Sequence, residues 1–379
     1  MSRLSLNQGL LEAIEARDLE RTEYYVSSGA DISITDKYGN TPFHAAVINK
    51  DPDIVQFLLE KTNVNPNRKT KFGNTALHLA VICYSPTIIH LLLERTDIDS
   101  GETNKSGNTA LHLAAKTGHL DAVQLLLERT DINPDEKNKS GDNLLHCATE
   151  GEHIDVVKLL LEKTDINPNE TNESGDNPLH CAIKVGHFEL VQLLFEKTDI
   201  NPNETNKSGD TPLHCAIKGG HFELVQLLLE KTDINPKEMN KINGDTPLHT
   251  AVRDRNLNII KLLLRRRDLD PNEVNKSGNN LLHCATKGGH LDVVQLLLEK
   301  TDINPNAMNK SGDNPLHCAT EGGQLDVVKL LLEKTDINPY EMNKDGKTVL
   351  HIALEKEDTE IVQLLLERTQ IDPNKKTRV

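Results

Sequence analysis

The sequence predicts an all-α repeat solenoid in which stacked helix–turn–helix units are joined by hairpin-like loops. Three observations predict it. A six-residue motif, [Thr/Asn]-x-[Leu/Phe]-His-x-Ala, recurs ten times in 379 residues, its copies are almost all 34 residues apart, and each opens a pair of short amphipathic segments. Two helices of about three turns or fewer cannot bury their apolar faces against each other alone, so each unit needs neighbours in a repeat array.

The copy at residues 209–236 explains the first helix of a unit. Thr211 stands where a helix N-cap belongs, because its hydroxyl can accept a hydrogen bond from an amide of the first turn. Pro212 follows at the first helical position, where its missing N–H costs nothing. The residues that then share one helical face are Leu213, Ala216 and Ile217.

The same copy predicts a second helix and a loop. Gly219 and Gly220 are expected to end the first helix, and the second is predicted to run from about His221 to Lys231. The residues predicted to form its buried stripe are Phe222, Val225, Leu228 and Leu229. Pro236 disfavours helix at the residue before it, so a polar, turn-prone loop follows up to residue 245.

The period is carried by the motif histidines. They are His44, His78, His112, His146, His180, His214, His249, His283, His317 and His351. Eight of the nine spacings are 34 residues, and the spacing from His214 to His249 is 35. The motif resembles the T-P-L-H-x-A signature of ankyrin repeats, and turns such as Gly118-His119-Leu120 resemble those of the same family. This resemblance covers nearly the whole chain.

The resemblance implies several properties. The motif histidines should hydrogen-bond neighbouring backbone, and recognition should lie in a concave groove lined by the loop tips and the adjacent face of the first helix. We expect one solenoid domain over residues 1–370. Within it, residues 1–37 form an N-terminal capping repeat, 38–347 the internal repeats and 348–370 the C-terminal repeat, and a polar tail covers 371–379.

Composition narrows the function classes. The formal net charge is −15 and the pI is about 5.5; nucleic-acid binders normally carry a basic patch or stripe, so no nucleic acid is expected. Without an apolar leader or an 18-residue apolar run, no signal peptide and no membrane span are predicted.

The cysteines that follow the motif histidine should be about 8–10 Å apart, which is too far for disulfides. They are interpreted as small buried hydrophobic residues in a reducing compartment.

No catalytic or metal-binding constellation emerges from the sequence. Neighbours such as His146 and Cys147 diverge by about 100° on a helix, and no second ligand pair with metal-site spacing accompanies them. A nucleophile elbow, a phosphate loop and a dinucleotide fingerprint are all missing from the sequence. We therefore expect no enzyme activity, no cofactor and no metal.

The first candidate binding patch lies near the N-terminus. Five of the ten loop tips read Asn-Lys-Ser-Gly, but Tyr38 and Phe72 replace the serine in the first two tips. Seven of the eleven aromatic residues precede residue 85. Tyr38, Phe72 and Tyr84, together with Lys71, form this candidate patch, because exposed aromatics are favoured interface anchors. The alternative is that they only finish the exposed end of the stack.

The second candidate lies around the single insertion, in residues 241–245. Arg253 and Arg255 replace residues of the usual glycine turn, and Arg265–Arg267 are predicted to end the second helix. Such arginines can bind an acidic peptide or a phosphate through bidentate contacts. Alternatively, they complement the helix dipole and acidic neighbours. The chain ends Thr377-Arg378-Val379, which resembles a ligand of carboxylate-capturing PDZ domains.

The leading hypothesis is a monomeric, cytoplasmic, non-catalytic scaffold that binds partner proteins through the groove. One alternative is an ankyrin effector that an intracellular bacterium delivers into the host cytoplasm. Another is a mechanical or spacer element without a specific partner.

Overall fold

The computed structural model describes residues 3–129, 133–231 and 234–369. These residues form 22 helices in eleven consecutive pairs, and no strand occurs among them. The predicted all-α repeat solenoid is confirmed. The chain divides into two compact units, residues 1–200 and 201–379, and each is described here by itself. The polar tail and the carboxylate-type motif at Thr377–Val379 lie outside the described residues, and the single-domain boundaries stay a prediction.

Each repeat contributes a first helix, which in repeats two to eleven carries the motif histidine, and a second helix. The helices of the first unit are α1 (Arg3–Glu15), α2 (Leu19–Ser27), α3 (Pro42–Ile48), α4 (Pro52–Lys61), α5 (Ala76–Ile82), α6 (Pro86–Leu93), α7 (Ala110–Thr117), α8 (Leu120–Leu127), α9 (Leu144–Glu150), α10 (Ile154–Lys163), α11 (Pro178–Val185) and α12 (Phe188–Lys197).

The second unit contains five further pairs. Its helices are α13 (Pro212–Lys218), α14 (Phe222–Lys231), α15 (Pro247–Arg253), α16 (Leu257–Leu264), α17 (Leu281–Lys287), α18 (Leu291–Lys300), α19 (Pro315–Glu321), α20 (Leu325–Lys334), α21 (Val349–Glu355) and α22 (Thr359–Thr369).

A capping box starts the first helix of every motif-bearing repeat. In α13 the Thr211 hydroxyl accepts from the backbone N–H of His214 (3.4 Å), and Nδ1 of that histidine accepts from the backbone N–H of Thr211 (3.4 Å). Asn143 replaces threonine in the same role before α9. The predicted N-caps are confirmed, and the motif histidine is revealed as the partner that completes each cap.

Packing between repeats follows the helix order. In the first unit α3 packs against α1 and α5, and α4 packs against α2 and α6. In the second unit α15 packs against α13 and α17. Each repeat thus buries its apolar face against its neighbours, and a fully buried leucine or isoleucine contributes about 1.5–3 kcal/mol to folding.

The buried stripe of the second helix differs from the prediction. The residues of α14 that are buried are Leu224, Val225, Leu227 and Leu228. Phe222 and Leu229, expected in that stripe, are only half-buried. The helix packs on α13 on one side and on α16 on another. The buried face of α14 is therefore centred on Leu224 and Leu228, and Phe222 and Leu229 lie at its edges.

Except in the first two tips, where Asp36 and Thr70 have this role, the loop tips are ordered by an asparagine, and the tips are linked from repeat to repeat. The Asn104 Oδ1 atom accepts from the backbone N–H groups of Ser106 (2.9 Å) and Asn108 (3.1 Å), which closes the turn. Its Nδ2 group donates to Asn74 Oδ1 in the preceding repeat (3.1 Å). The backbone N–H of the next residue, Lys105, donates to the carbonyl of Phe72 (3.0 Å). Neighbouring tips are therefore held in register.

Candidate protein-binding surface

Tyr38 and Phe72 form a stacked pair on two adjacent tips of the first unit. Their ring centroids are 6.4 Å apart with an interplanar angle of 28°, and the residues are 47% and 59% exposed. The backbone N–H of Lys71 donates to the Tyr38 carbonyl (2.9 Å). Between the tips, Gly39 has a φ of +82°, and a Cβ there would meet the Lys71 nitrogen at 2.7 Å. Only glycine allows the two tips to come this close at Gly39. Three candidate residues, Tyr38, Phe72 and Lys71, therefore lie together.

Sequence reasoning missed two exposed isoleucines. Ile48 and Ile82 lie at the ends of α3 and α5 and are exposed. At the equivalent position in other repeats, Lys184 binds Asp176 and Lys218 binds Asp210, each at 2.5 Å.

These ion pairs join positions eight residues apart, one just before the first helix and one at its end. The aspartate and the lysine of each pair therefore lie on the same surface of their repeat, which begins next to the loop tip. Ile48 and Ile82 occupy the lysine position, so they lie on the equivalent surface of their own repeats. The available signal was an apolar residue at a position that is charged in the eight later repeats.

Tyr84 lies apart from the stacked pair. It follows α5 in the left-handed region, with a φ of +49°, and its ring stacks on His119 at a centroid distance of 4.3 Å and an angle of 29°. The seven residues of α5 span about 10 Å between the tip and this turn. The structure thus connects Tyr84 to the following repeat and places it at the far end of the helix from Tyr38 and Phe72.

The arginines of the second candidate site are already paired with carboxylates. The Arg253 guanidinium contacts Asp245 and lies 3.7 Å from Asp254. Arg255 binds both carboxylate oxygens of Asp292 at 3.0–3.1 Å, and this contact holds the pKa of Asp292 below its usual value. An acidic ligand would have to compete with these carboxylates.

The other basic and inserted residues of this region also have defined surroundings. Arg266 makes two hydrogen bonds of 3.1 Å to Asp268. In the inserted tip, Asn240 Oδ1 accepts from the backbone of Ile242 (2.8 Å) and Asn243 (3.1 Å). The insertion is absorbed within one turn and leaves the Ile242 side chain exposed.

The motif histidines join consecutive repeats, as the resemblance implied. The Nε2–H group of His44 donates to the Arg68 carbonyl, and that of His78 to the Asn108 carbonyl, both at 2.9 Å. Because Nδ1 completes the capping box, both ring nitrogens are used by the neutral imidazole. Burial lowers the pKa of these side chains. The histidines in question are His44, His78, His112, His146, His214, His249, His283 and His317.

The cysteines are structural in character. All six are free, and burial raises the pKa of the Cys147 thiol to about 12, so almost no thiolate forms near neutral pH. Over the described ranges, no group of three or more His, Cys, Asp or Glu side chains is placed to hold a metal ion. In the same part of the chain, every helix is too short or too polar to cross a membrane.

Comparison with known proteins identifies the fold. A family model described as ankyrin repeats (three copies) matches residues 10–102, 85–172, 166–240, 233–309 and 301–377. The ankyrin-repeat domain of Bcl-3, a member of the IkappaB protein family, is similar in structure with a TM-score of 0.51 and 28% identity. It aligns over 61% of this chain and 100% of its own.

The search among curated proteins gives no match. In contrast, 604 chains of solved structures match, and a likeness that is shared so widely identifies a fold and not a partner. Together with the recurring capping boxes and the paired helices, the family matches give one conclusion. The chain belongs to the ankyrin-repeat family.

Proposed function

We propose that this protein is a monomeric, cytoplasmic, non-catalytic scaffold whose first unit binds a partner protein through the N-terminal patch. The N-terminal patch consists of Tyr38, Phe72, Ile48 and Ile82, with Lys71 at its edge. The observation that carries the proposal is the exposed, stacked pair of Tyr38 and Phe72. Ankyrin repeats are protein-interaction modules, so an apolar surface on adjacent repeats is the expected kind of site.

Exposed apolar side chains support this surface. Tyr38 and Phe72 stand where later tips carry an exposed serine, such as Ser106. Large aromatic side chains at the centre of an interface contribute most of the binding energy in typical complexes. The link from Lys71 to the Tyr38 carbonyl orders both tips before a partner arrives, which lowers the entropic cost of binding.

Capping of the stack does not account for the patch. The first repeat packs on the second, with α1 against α3 and α2 against α4, so this end of the unit is formed by α1 and α2. The exposed large hydrophobic residues there are Leu4 and Tyr24, which are 82% and 54% exposed. Tyr38 and Phe72 lie in the second and third repeats, each of which packs against a neighbouring repeat on both sides. They are therefore not needed to cover an exposed end.

The test compares the intact chain with a variant carrying Tyr38→Ser and Phe72→Ser. Serine is the natural residue at this tip position, so both forms should show the same helical circular dichroism. Leu4→Ser serves as the matched control, because it also removes an exposed apolar side chain. A partner captured from a lysate by the intact chain is purified and titrated against all three proteins.

We expect the double variant to lose at least about 100-fold in affinity, since two interface anchors contribute about 2 kcal/mol or more each, and Leu4→Ser to bind like the intact chain. Equal binding by the double variant would exclude the patch. Equal losses in the double variant and in Leu4→Ser would mean that the contact is non-specific adhesion. Capture by none of the proteins would favour the spacer alternative.

Tyr84, Arg253 and Arg255 stay proposed contact residues outside this patch. Tyr84 offers an exposed ring edge beside His119. The arginines would bind an acidic group by exchanging it for Asp245 or Asp292. The corresponding test is Arg255→Gln, which should weaken binding of an acidic partner and leave binding at Tyr38 and Phe72 unchanged.

A further inference from the structure

The loop tips of the second unit carry two rows of side chains, one basic and one apolar. The tip lysines are Lys207, Lys241, Lys276, Lys310 and Lys344. The apolar row, two residues earlier in each loop from the seventh repeat onward, consists of Met239, Val274, Met308 and Met342. Each row has one member per repeat, so both continue along the unit.

The tip lysines are exposed, and in the described part of the second unit none of them lies within ion-pair distance of a carboxylate. The Nζ group of Lys276 donates to the neutral carbonyl of Lys241. Some other cations of this unit are paired, as Lys218 is with Asp210 and Arg255 with Asp292. In a chain of net charge −15, these lysines form a row of exposed positive charges that make no ion pair among the described residues.

The apolar row is exposed as well. Met239, Val274, Met308 and Met342 are 37–47% exposed. Among the described residues of the second unit, six of the nine exposed large hydrophobic residues lie in the tip loops: this row plus Ile242 and Tyr340. In the first unit the same loop position carries polar residues instead, such as Thr103 and Lys137. Exposed methionines adapt to varied apolar partners.

In each of these tips a single asparagine separates the apolar residue from the lysine. The asparagine between the two rows is turned toward the protein: Asn309 Nδ2 donates to Asn279 (2.9 Å), and Asn343 Nδ2 donates to Asp313 (2.8 Å). The residues on either side of these asparagines, Met308 and Lys310 in one tip and Met342 and Lys344 in the next, are all exposed. Each tip therefore presents a methionine or valine beside a lysine.

The spacing along the rows is fixed by backbone hydrogen bonds. The N–H of Lys310 donates to the Ser277 carbonyl (3.0 Å), and that of Lys344 to the Ser311 carbonyl (2.9 Å). Stacked helices are about 8–10 Å apart, and the linked tips follow the same repeat. An extended polyproline-type chain advances about 3.1 Å per residue with three residues per turn, or about 9 Å per turn. Every third side chain of such a segment would meet successive tips.

Two glutamates of the same loops are engaged by asparagines and form no ion pair with the tip lysines. Glu238 accepts a hydrogen bond from Asn235 (3.0 Å), and Glu341 accepts one from Asn338 (2.9 Å), each within its own loop. The ninth repeat carries Ala307 at this position. Glu238 and Glu341 are thus held by partners other than the tip lysines.

We propose that the tips of the second unit bind an extended acidic segment of a partner protein, with a carboxylate at every third residue and an apolar side chain in each triplet. The carboxylates would pair with the tip lysines, and the apolar side chains would cover the apolar row. The segment would lie along the unit, parallel to the stacking direction. This site does not include residues of the N-terminal patch. The inference rests on the proposed scaffold function and specifies the kind of partner segment that the scaffold would bind.

The probe is a blocked 15-residue peptide of five Glu-Pro-Leu triplets, titrated against the full chain at low and high salt. A peptide of the same composition with its five glutamates in one block is the spacing control. We expect the triplet peptide to bind at least about fivefold more tightly than the block peptide, because only its carboxylates match successive tips. Its affinity should fall as salt screens the exposed charges.

Two sets of variants test the rows. Lys276→Glu, Lys310→Glu and Lys344→Glu in one protein should lower the affinity about tenfold or more, since each exposed ion pair contributes roughly 1.4- to 5-fold and reversal adds repulsion. The matched control has the same change in charge on second helices of this unit: Lys300→Glu, Lys329→Glu and Lys334→Glu. Met308→Thr with Met342→Thr, which uses the residue of other repeats, should weaken binding at both salt concentrations.

Several results would overturn the proposal. Equal binding of the block and triplet peptides would exclude a periodic site. If the tip and control lysine variants lost the same amount of affinity, the effect would be one of net charge and not of a site. If the chain bound inorganic polyphosphate but not the peptide, the lysine row would bind a different kind of polyanion. The Tyr38→Ser, Phe72→Ser variant should bind the triplet peptide normally, so failure here and failure of the N-terminal patch are distinguishable.

Discussion

Mild acid should destabilise the repeats through their motif histidines. Burial lowers the pKa of His214, His249, His283 and His317 in the second unit, whereas an unfolded chain has histidine pKa values near 6.5. Below about pH 6.5 the unfolded chain therefore binds more protons than the folded one. The free energy of unfolding must fall as the pH falls through this window.

The size of the effect follows from the number of histidines. Each one that is protonated only in the unfolded chain changes the free energy of unfolding by about 1.4 kcal/mol per pH unit. Four histidines give at most about 5 kcal/mol per pH unit for the second unit if it unfolds as a whole. Carboxylates titrate mainly below pH 5, so the interval from pH 7.5 to 5.5 isolates the histidines.

The assay is urea unfolding followed by circular dichroism at pH 7.5, 6.5 and 5.5, on the intact chain and on His249→Gln. At pH 7.5 the variant should lose about 1–3 kcal/mol, because it breaks the bond to the Asn279 carbonyl (3.0 Å) and the bonds to Thr246. At pH 5.5 the difference between the two proteins should shrink by up to about 1.4 kcal/mol. The explanation would be refuted if the difference in unfolding free energy between the two proteins stayed constant with pH. It would also be refuted if the urea midpoint of the intact chain did not change with pH.

Three further predictions concern the tips and the thiols. Gly346→Ala, at a φ of +71° with open space around the new Cβ, should cost about 1–2 kcal/mol of unfolding free energy. Gly278→Ala, whose Cβ would lie 2.8 Å from a backbone nitrogen of the next tip, should cost clearly more, and equal costs would contradict the tip-to-tip contact. Asn309→Ala should cost about 2–4 kcal/mol in urea unfolding, because it removes two turn-closing bonds and one bond between repeats. In thiol labelling at pH 8, the half-buried Cys83 should react first, whereas Cys147, with a pKa of about 12, should react only on unfolding.

The repeat period and the helix starts were readable from the sequence because their causes are local. A threonine such as Thr211 before Pro212 caps a helix through atoms three residues away. The motif histidine was expected to bind neighbouring backbone only because of the family resemblance. Its partner, one loop away at Arg68 for His44, lies 24 residues further along the chain and is brought close by stacking.

The candidate sites show the limit of such reasoning. Tyr38 and Phe72 were identified because they break the serine pattern of the tips, and the structure places them in contact. Tyr84 was grouped with them by composition, but a whole helix separates it from the pair. The exposure of Ile48 went unnoticed, since an apolar residue at the end of an amphipathic helix is normally expected in the core.

The sequence alone determined the all-α solenoid, the number of helix pairs and the N-caps, because a strict period repeats the same short-range interactions in every unit. Only the tertiary structure decided which side chains remain exposed and which charges are paired. Arg255 binds Asp292, 37 residues away, while Lys310 on a tip has no carboxylate beside it among the described residues. Such differences depend on contacts between neighbouring repeats, and the pattern within one repeat does not contain them.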